Sequence, residues 1–242
     1  MLQVLSKEFS SFLNSLIAYV VIGVFLLSMG LLMWVFPDTS VLEYGYADMQ
    51  TLFSLAPYVF IFLIPAITMR SFAEEKKAGT MELLFTKPLS DWDIILGKYL
   101  STFLLALFAL LPTTVYYYSI YMLGNPIGNL DTPGIIGSYV GLSMVAAAFC
   151  AIGIFASCIT PNQIVAFVVG AFLCFLLYSG FESISALPFW SANALAVKQW
   201  GALFHYESLS RGLIDSRDLI YFFSLVLLML SVTKLILGTR QW

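Results

Sequence analysis

Residues 65–98 read PAITMRSFAEEKKAGTMELLFTKPLSDWDIILGK, and this polar stretch decides the organisation of the chain. Apolar runs long enough to cross a bilayer flank it on both sides. The stretch nevertheless holds five of the eleven Lys and Arg residues and five of the fourteen Asp and Glu residues. A charged interval between two such runs is typical of a loop that leaves the membrane and returns to it.

The local pattern of this stretch predicts a helix, a break, a short helix and a third helix. Residues 70–77 are helix formers that alternate in charge, and Gly79 interrupts them. A short helix then covers residues 80–86 and ends before Pro88, which cannot continue it. Residues 90–93, Ser-Asp-Trp-Asp, match a capping box that begins the next helix.

The predicted short helix is amphipathic. Thr80 is a suitable N-cap, and the apolar side is formed by Met81, Leu83, Leu84 and Phe85. This part of the chain offers no soluble core against which such a side could be buried. Two interpretations are open: a helix that rests on the membrane surface, or a helix that a partner protein binds.

Several spaced residues here resemble the cytoplasmic signature of type 2 ABC exporter permeases. They are Phe72, Glu74, Glu75, Gly79, Thr80, Glu82, Leu84, Pro88, Gly97 and Lys98. In that family a Glu-rich elbow and a GTxExLL motif precede the third span, and the amphipathic turn is the coupling helix that sits in a groove of the ATPase subunit. The longer string LIPAITMRSFAEEKKAGTMELL is similar to the gliding-motility-associated ABC transporter permease subunit (GldF-type) and its relatives.

The resemblance implies an ATPase-coupling role for ten residues. The acids would provide polar contacts, the apolar residues would fill the groove, and the glycine and proline would set the angle of the helix. The ten are Phe72, Glu74, Glu75, Gly79, Thr80, Glu82, Leu83, Leu84, Phe85 and Pro88.

Composition places the whole chain in the membrane. The 242 residues are 60% hydrophobic and 10% charged, with a mean hydropathy of +0.92. A soluble domain is about 45–50% apolar and about 25% charged. The three cysteines lie inside apolar runs without a CxxC pair, which favours small core residues over a disulfide or metal site.

Apolar runs predict an all-α integral membrane protein with six transmembrane helices in one permease domain, residues 1–242. The predicted spans are about 16–36, 52–69, 99–123, 135–159, 163–181 and 219–238. The first is too long for the core of a signal peptide, so we expect it to remain. Thr160 as N-cap and Pro161 as first helical residue predict the start of the fifth span.

The distribution of Lys and Arg predicts the orientation. With the N-terminus in the cytoplasm, eight of the eleven fall on the cytoplasmic side, and only Lys198, Arg211 and Arg217 fall outside. Cytoplasmic loops are enriched in Lys and Arg, so both termini are predicted to be cytoplasmic.

Residues 182–218, which we call the penultimate segment, are predicted to form short helices on the outer surface before the sixth span. Near its end, an RG-x-ID-x-RD pattern resembles gliding-type and related permeases. Its residues are Arg211, Gly212, Asp215, Arg217 and Asp218. Gly212 permits a turn, and the alternating Arg and Asp could pair. Interface anchoring and direct substrate contact are both open, and His205 is predicted to be structural.

Missing motifs narrow the function. The chain has no G-x-x-x-x-G-K-[ST], H-E-x-x-H or G-x-S-x-G, so we expect no catalytic residue, metal site or ATP site of its own. The predicted spans hold two ionisable residues, both near a span end: Glu182 at the edge of the fifth, and Lys234, which is close enough to the end of the sixth to snorkel. The lack of others disfavours an ion-driven carrier. Gly137 and Gly141 form a GxxxG that predicts a close helix contact, in the chain itself or in a dimer.

The resemblance therefore implies the permease subunit of an ATP-driven exporter in the bacterial inner membrane, within the gliding motility machinery. Its expected partners are two copies of an ABC ATPase subunit, which would bind ATP and magnesium, a second permease chain of the same or a different kind, and the lipid bilayer. We expect no nucleic acid. The alternative function is a non-transporting membrane scaffold or anchor driven by the same ATPase.

Overall fold

The computed structural model describes residues 1–81 and 89–239. Within these ranges the chain forms helices joined by short turns, with no strand, and the prediction of an all-α fold is confirmed. Five of the predicted coupling residues lie outside the described residues, namely Glu82, Leu83, Leu84, Phe85 and Pro88.

The α-helices follow one another along the chain, and four of them are only four to six residues long. Their bounds are α1 (Leu2–Leu13), α2 (Leu16–Trp34), α3 (Val41–Tyr44), α4 (Gln50–Thr68), α5 (Ala73–Ala78), α6 (Asp91–Leu110), α7 (Thr114–Leu123), α8 (Thr132–Ile159), α9 (Gln163–Phe175), α10 (Phe181–Ser185), α11 (Ala194–Lys198), α12 (Ala202–Leu209) and α13 (Ser216–Gly238).

Five helical stretches of the described chain are long and apolar enough to cross a membrane. They are Gln50–Ala78, Asp91–Leu123, Thr132–Ile159, Gln163–Ser185 and Ser216–Gly238. The helices Leu2–Leu13 and Ala18–Trp34 meet at 66° and supply a sixth if they are counted together. The predicted number of six agrees with that larger total.

Helix α8 is the centre of the bundle. It packs against α4, α6, α9 and α13, and most of its side chains between Ile135 and Cys158 are buried. Its many Ala and Gly residues let neighbouring helices approach closely, as in other membrane bundles. Cys150 and Cys158 are buried in this helix and Cys174 in α9, so the prediction that the cysteines are core residues is confirmed.

The penultimate segment packs onto the first half of α8. A Cβ added at Gly137 would lie 2.6 Å from the Cα of Gly212, and one added at Gly141 would lie 2.6 Å from the Cβ of Leu209. The Oγ of Ser138 also donates to the backbone oxygen of Ser210, at 2.8 Å. The GxxxG motif is therefore covered by its own chain, which corrects the dimer interpretation.

The turn between α8 and α9 differs from the prediction. Asn162, not Thr160, is the N-cap of α9, because its side-chain oxygen accepts from the amide of Ile164 at 2.9 Å. Thr160 is extended at the end of α8, and its hydroxyl accepts from the amide of Asn162 at 3.2 Å. Pro161 therefore lies in the turn and not in the helix.

Two of the spanning stretches are irregular. A 3-10 turn at Leu111–Thr113 separates α6 from α7 at Pro112, which has no amide hydrogen to donate. A π-helical turn at Leu176–Gly180 joins α9 to α10, so the helical stretch runs to Ser185, beyond the predicted end of the fifth span.

Candidate functional site

Residues 69–79, which we call the elbow, connect the end of α4 to the predicted coupling helix. The chain turns at residues 69–72 and then forms α5, so the helix predicted for residues 70–77 begins only at Ala73. Gly79 ends α5 with φ of +66°, a conformation that glycine adopts without strain. The predicted break at Gly79 is confirmed.

Lys98 on α6 forms the centre of the site. Its side chain is 2% exposed, and its Nζ donates to Glu75 Oε1 at 2.9 Å, to Glu8 Oε1 at 3.1 Å and to the backbone oxygen of Ser71 at 2.7 Å. An ammonium has three hydrogens to donate, so every one has an acceptor. The Nζ also lies 5.2 Å from the centre of the Phe72 ring. We call Lys98, Glu75 and Glu8 the Lys98 cluster.

The Lys98 cluster joins three elements of the chain. Glu8 comes from α1, Glu75 from the elbow and Lys98 from α6. A buried ammonium is stable only when carboxylates and further hydrogen bonds replace its lost hydration. The elbow is therefore fixed to both neighbours by the requirement to keep this charge paired.

The elbow is also attached to the end of α8. The amide of Phe72 donates to the Oγ of Ser157 at 3.0 Å, and the Nζ of Lys76 donates to the backbone oxygen of Cys158. The Phe72 ring is fully buried beside these contacts. Phe72 thus lies in the core and anchors the elbow to the central helix.

The two acids predicted for the elbow have different environments. Glu74 is exposed to solvent, whereas Glu75 turns into the protein and binds Lys98. Thr80 is exposed after the end of α5. Among the predicted coupling residues that the structure describes, Glu74 and Thr80 are therefore free to contact a partner, and Phe72 and Glu75 are internal.

In the penultimate segment, Asp218 pairs with His205, the residue predicted to be structural. His205 Nδ1 lies 2.7 Å from Asp218 Oδ1, and His205 Nε2 lies 3.0 Å from the backbone oxygen of Gln199. Both ring nitrogens thus lie within hydrogen-bond distance of an oxygen atom. The ring also stacks on Tyr221, with 4.0 Å between the ring centres.

The other residues of the RG-x-ID-x-RD pattern do not bond to one another across the pattern, except at the start of α13. Asp215 is the N-cap of α13 and accepts from the amide of Arg217 at 3.0 Å. Gly212 has φ of +78°, which confirms the predicted turn. Arg211 and Arg217 are exposed, and no ion pair joins them to an Asp within residues 1–81 and 89–239. The Arg–Asp pairing anticipated from the pattern is thus absent from the described chain.

Two buried ionisable residues lie in the long helices, each one position before a predicted span (99–123 and 219–238). Lys98 lies within the stretch Asp91–Leu123 and Asp218 within Ser216–Gly238. They are accommodated because Lys98 has two carboxylates and Asp218 has His205. Glu182, the one acid that was predicted there, accepts from Lys198 Nζ at 2.8 Å, and this hydrogen bond raises the pKa of Lys198.

One tyrosine fixes the penultimate segment to the second long helix. The hydroxyl of Tyr206 on α12 donates to the backbone oxygen of Phe53 on α4 at 2.6 Å. Burial raises the pKa of Tyr206 well above the ordinary value for tyrosine, so the hydroxyl stays a donor. Neither this contact nor the Lys98 cluster has a local sequence signal, since the partners are far apart in the chain.

These features define a multi-pass α-helical membrane protein with a polar elbow between two of its long helices. The family model described as ABC-2 family transporter protein matches residues 41–235, which is most of the chain. The chain therefore belongs to the ABC-2 transporter family and is the membrane-spanning permease subunit of an ABC transporter. Permeases of this family work with a separate ABC ATPase subunit and generally have no ATPase site of their own. A comparison with curated proteins finds no match.

Proposed function

We propose that this permease receives the movement of its ATPase partner at residues 80–86 and passes it through the elbow to the helix bundle. The observation that supports this most strongly is the Lys98 cluster. Residues 80–86 follow α5 directly, and α5 carries Glu75, whose carboxylate is held by Lys98 of α6. A displacement of residues 80–86 therefore acts on an element that is already bonded to the bundle.

The attachment of the elbow to α8 extends this proposal. Movement would reach the centre of the bundle through Phe72 and Lys76, which donate to Ser157 and to the backbone of Cys158. The movement would therefore reach α8 as well as the second and third spans, which flank the elbow in sequence. In this proposal Glu74, Thr80 and Glu82 contact the ATPase, Leu83, Leu84 and Phe85 fill its groove, and Gly79 and Pro88 set the angle.

The type of transporter and its cellular role are inferred from the resemblance of the elbow and of the RG-x-ID-x-RD pattern to gliding-type permeases. We infer an exporter-type complex of the bacterial inner membrane, with both termini in the cytoplasm, that serves the gliding motility machinery. It would contain two ATPase subunits, which bind ATP and magnesium, and a second permease chain. The distribution of Lys and Arg supports the proposed orientation.

A charge reversal tests the docking role. Glu82→Lys places a positive charge in the first turn of the predicted helix, where the helix dipole and the contact both favour an acid. We expect the ATPase to be lost from the purified complex while the permease remains inserted. Glu43→Lys is the matched control, because Glu43 is exposed in α3, far from the elbow in sequence.

Unchanged co-purification and ATP hydrolysis in Glu82→Lys would show that the docking role is wrong. Transport by vesicles that contain the complete complex separates an exporter from a scaffold driven by the same ATPase. An exporter moves a substrate in an ATP-dependent manner, whereas a scaffold hydrolyses ATP without transport.

A further inference from the structure

A polar cleft of about 220 Å³ lies where α1, the elbow and α6 meet. Its lining includes Lys7, Ser11 and Ser15 from α1 and the residues after it, and Arg70, Ser71 and Glu75 from the elbow. Lys98 closes one wall. Of the described residues to which the proposed function assigns the ATPase contact, Glu74 lines this cleft and Thr80 does not.

Three buried polar atoms of this lining have no hydrogen-bond partner in the described chain. They are Arg70 Nε, Ser71 Oγ and Glu75 Oε2. Ser71 is only 4% exposed. Buried polar groups in folded proteins are nearly always partnered, because each unpartnered one destabilises the fold. All three belong to residues that line one cleft, so an occupant with complementary polar groups would provide partners for them once their side chains turn toward it.

The types of these atoms define the chemistry of the occupant. Arg70 Nε can only donate, Glu75 Oε2 as a carboxylate can only accept, and Ser71 Oγ can do both. The occupant must therefore present an acceptor, best an anion, to Arg70 and a donor, best a cation, to Glu75. A phosphate joined to a primary ammonium meets both requirements in one small group.

The charges around the cleft agree with such a zwitterion. Three positive and three negative side chains line it, so a group with no net charge fits better than an anion. They are Lys7, Arg70, Lys98, Glu8, Glu74 and Glu75.

The position of the cleft points to a lipid of the bilayer and not to a soluble molecule. It lies between the end of α4 and the first turns of α6, where two apolar helices reach the polar elbow. From Ser15 the chain continues into α2, whose apolar residues Leu16, Tyr19 and Val20 are 80%, 65% and 52% exposed. Acyl chains can lie along this surface while the headgroup enters the cleft.

We propose that this cleft binds the headgroup of a phospholipid with a primary amine, such as phosphatidylethanolamine. The phosphate accepts from Arg70 and Ser71, and the ammonium donates to Glu75. Phosphatidylcholine has the same net charge, but its trimethylated nitrogen has no hydrogen to donate. The site should therefore distinguish the two lipids by one charge-assisted hydrogen bond.

Native mass spectrometry of the full chain tests the proposal. The protein is released from nanodiscs that contain equal amounts of phosphatidylethanolamine, its N,N-dimethyl derivative and phosphatidylcholine, and the retained lipids are counted. We expect about tenfold more phosphatidylethanolamine than phosphatidylcholine, the value for one charge-assisted hydrogen bond. Arg70→Gln should lower retention about tenfold and Ser71→Ala about fivefold.

Two controls keep the result interpretable. Ser71→Ala removes a buried hydroxyl with no partner in the described protein, so the unfolding temperature in lipid-free detergent should not fall. Lys77→Gln removes an exposed cation of the same elbow that does not line the cleft, and retention should stay at the level of the unmodified protein. Equal retention of the three lipids, no retained lipid, or full retention by both cleft variants would overturn the proposal. Displacement of the lipid by an equal concentration of soluble glycerophosphoethanolamine would overturn the assignment to a bilayer lipid.

Discussion

Lys98 Nζ and Glu75 Oε1 lie 2.9 Å apart in the protein interior, although 23 residues separate them in the sequence. The predicted coupling helix lies between them in the chain. The two ends of the polar loop are therefore held together by an ion pair. A movement of the loop must carry α5 and α6 with it or break this pair.

Loss of the buried ammonium should be the most damaging single change at the elbow. Lys98→Met leaves Glu8 and Glu75 partly buried without their cation, and we expect a loss of about 3–5 kcal/mol in the free energy of unfolding. Thermal unfolding in detergent measures it. Lys7→Met is the control, because Lys7 is 68% exposed and its pairing with Glu8 contributes at most about 1 kcal/mol. Equal effects of the two variants would contradict a structural role for the cluster.

The contact between α8 and the penultimate segment should not tolerate a single added methyl group. In Gly137→Ala the new Cβ would meet the backbone of Gly212 at 2.6 Å, and we expect a destabilisation of about 1–3 kcal/mol. Gly23→Ala in α2 is the control. Nothing lies within 4 Å of its Cβ, and alanine favours a helix over glycine by about 0.8–1.0 kcal/mol. The two substitutions should therefore shift the unfolding temperature in opposite directions.

The hydrogen bond from Tyr206 to the backbone of Phe53 should stabilise the fold measurably. Tyr206→Phe removes the donor and leaves a buried carbonyl oxygen without it, which costs about 1–3 kcal/mol. Tyr46→Phe is the comparison, since Tyr46 is 80% exposed, and it should change the free energy of unfolding by less than about 0.5 kcal/mol. A Tyr206→Phe protein as stable as the Tyr46→Phe protein would show that the bond is replaced by another donor.

The link from the elbow to α8 should affect both stability and coupling. Ser157→Ala removes the acceptor of the Phe72 amide, and the unpartnered buried amide should cost about 1–3 kcal/mol. We also expect a lower ratio of transported substrate to hydrolysed ATP in the assembled complex. Ser143→Ala is the control on the same helix, because the Ser143 hydroxyl donates to the backbone oxygen of Val140 within that helix. An unchanged transport ratio in Ser157→Ala would exclude α8 from the coupling route.

The features that were predicted correctly are those that interactions between residues close in sequence determine. The apolar runs gave the long helices because about 20 apolar residues are needed to cross a bilayer. The capping box at Ser90 is confirmed, with the Asp93 amide 3.2 Å from Ser90 Oγ. Gly79 ends its helix in the left-handed conformation that glycine favours. Each of these features depends on residues within a few positions of one another.

The contacts that sequence reasoning missed join distant parts of the chain. Glu8 and Lys98 are 90 residues apart, and their pairing depends on α1 lying beside α6. Composition does not specify which helices are neighbours. The N-cap of α9 was predicted wrongly for a different reason. Thr160 and Asn162 are both residue types that favour the N-cap position, but Thr160 is already the C-cap of α8, so Asn162 caps α9.

Helix α8 runs for 28 residues without a kink-forming proline in its interior, a length of about 42 Å. Ser157 near one end holds the elbow, and Gly137 near the other end seats the penultimate segment. A straight helix moves as a rigid body, so a tilt at one end also moves the other end. We therefore expect a tilt of α8 beside the elbow to displace the penultimate segment at the other end of the helix as well.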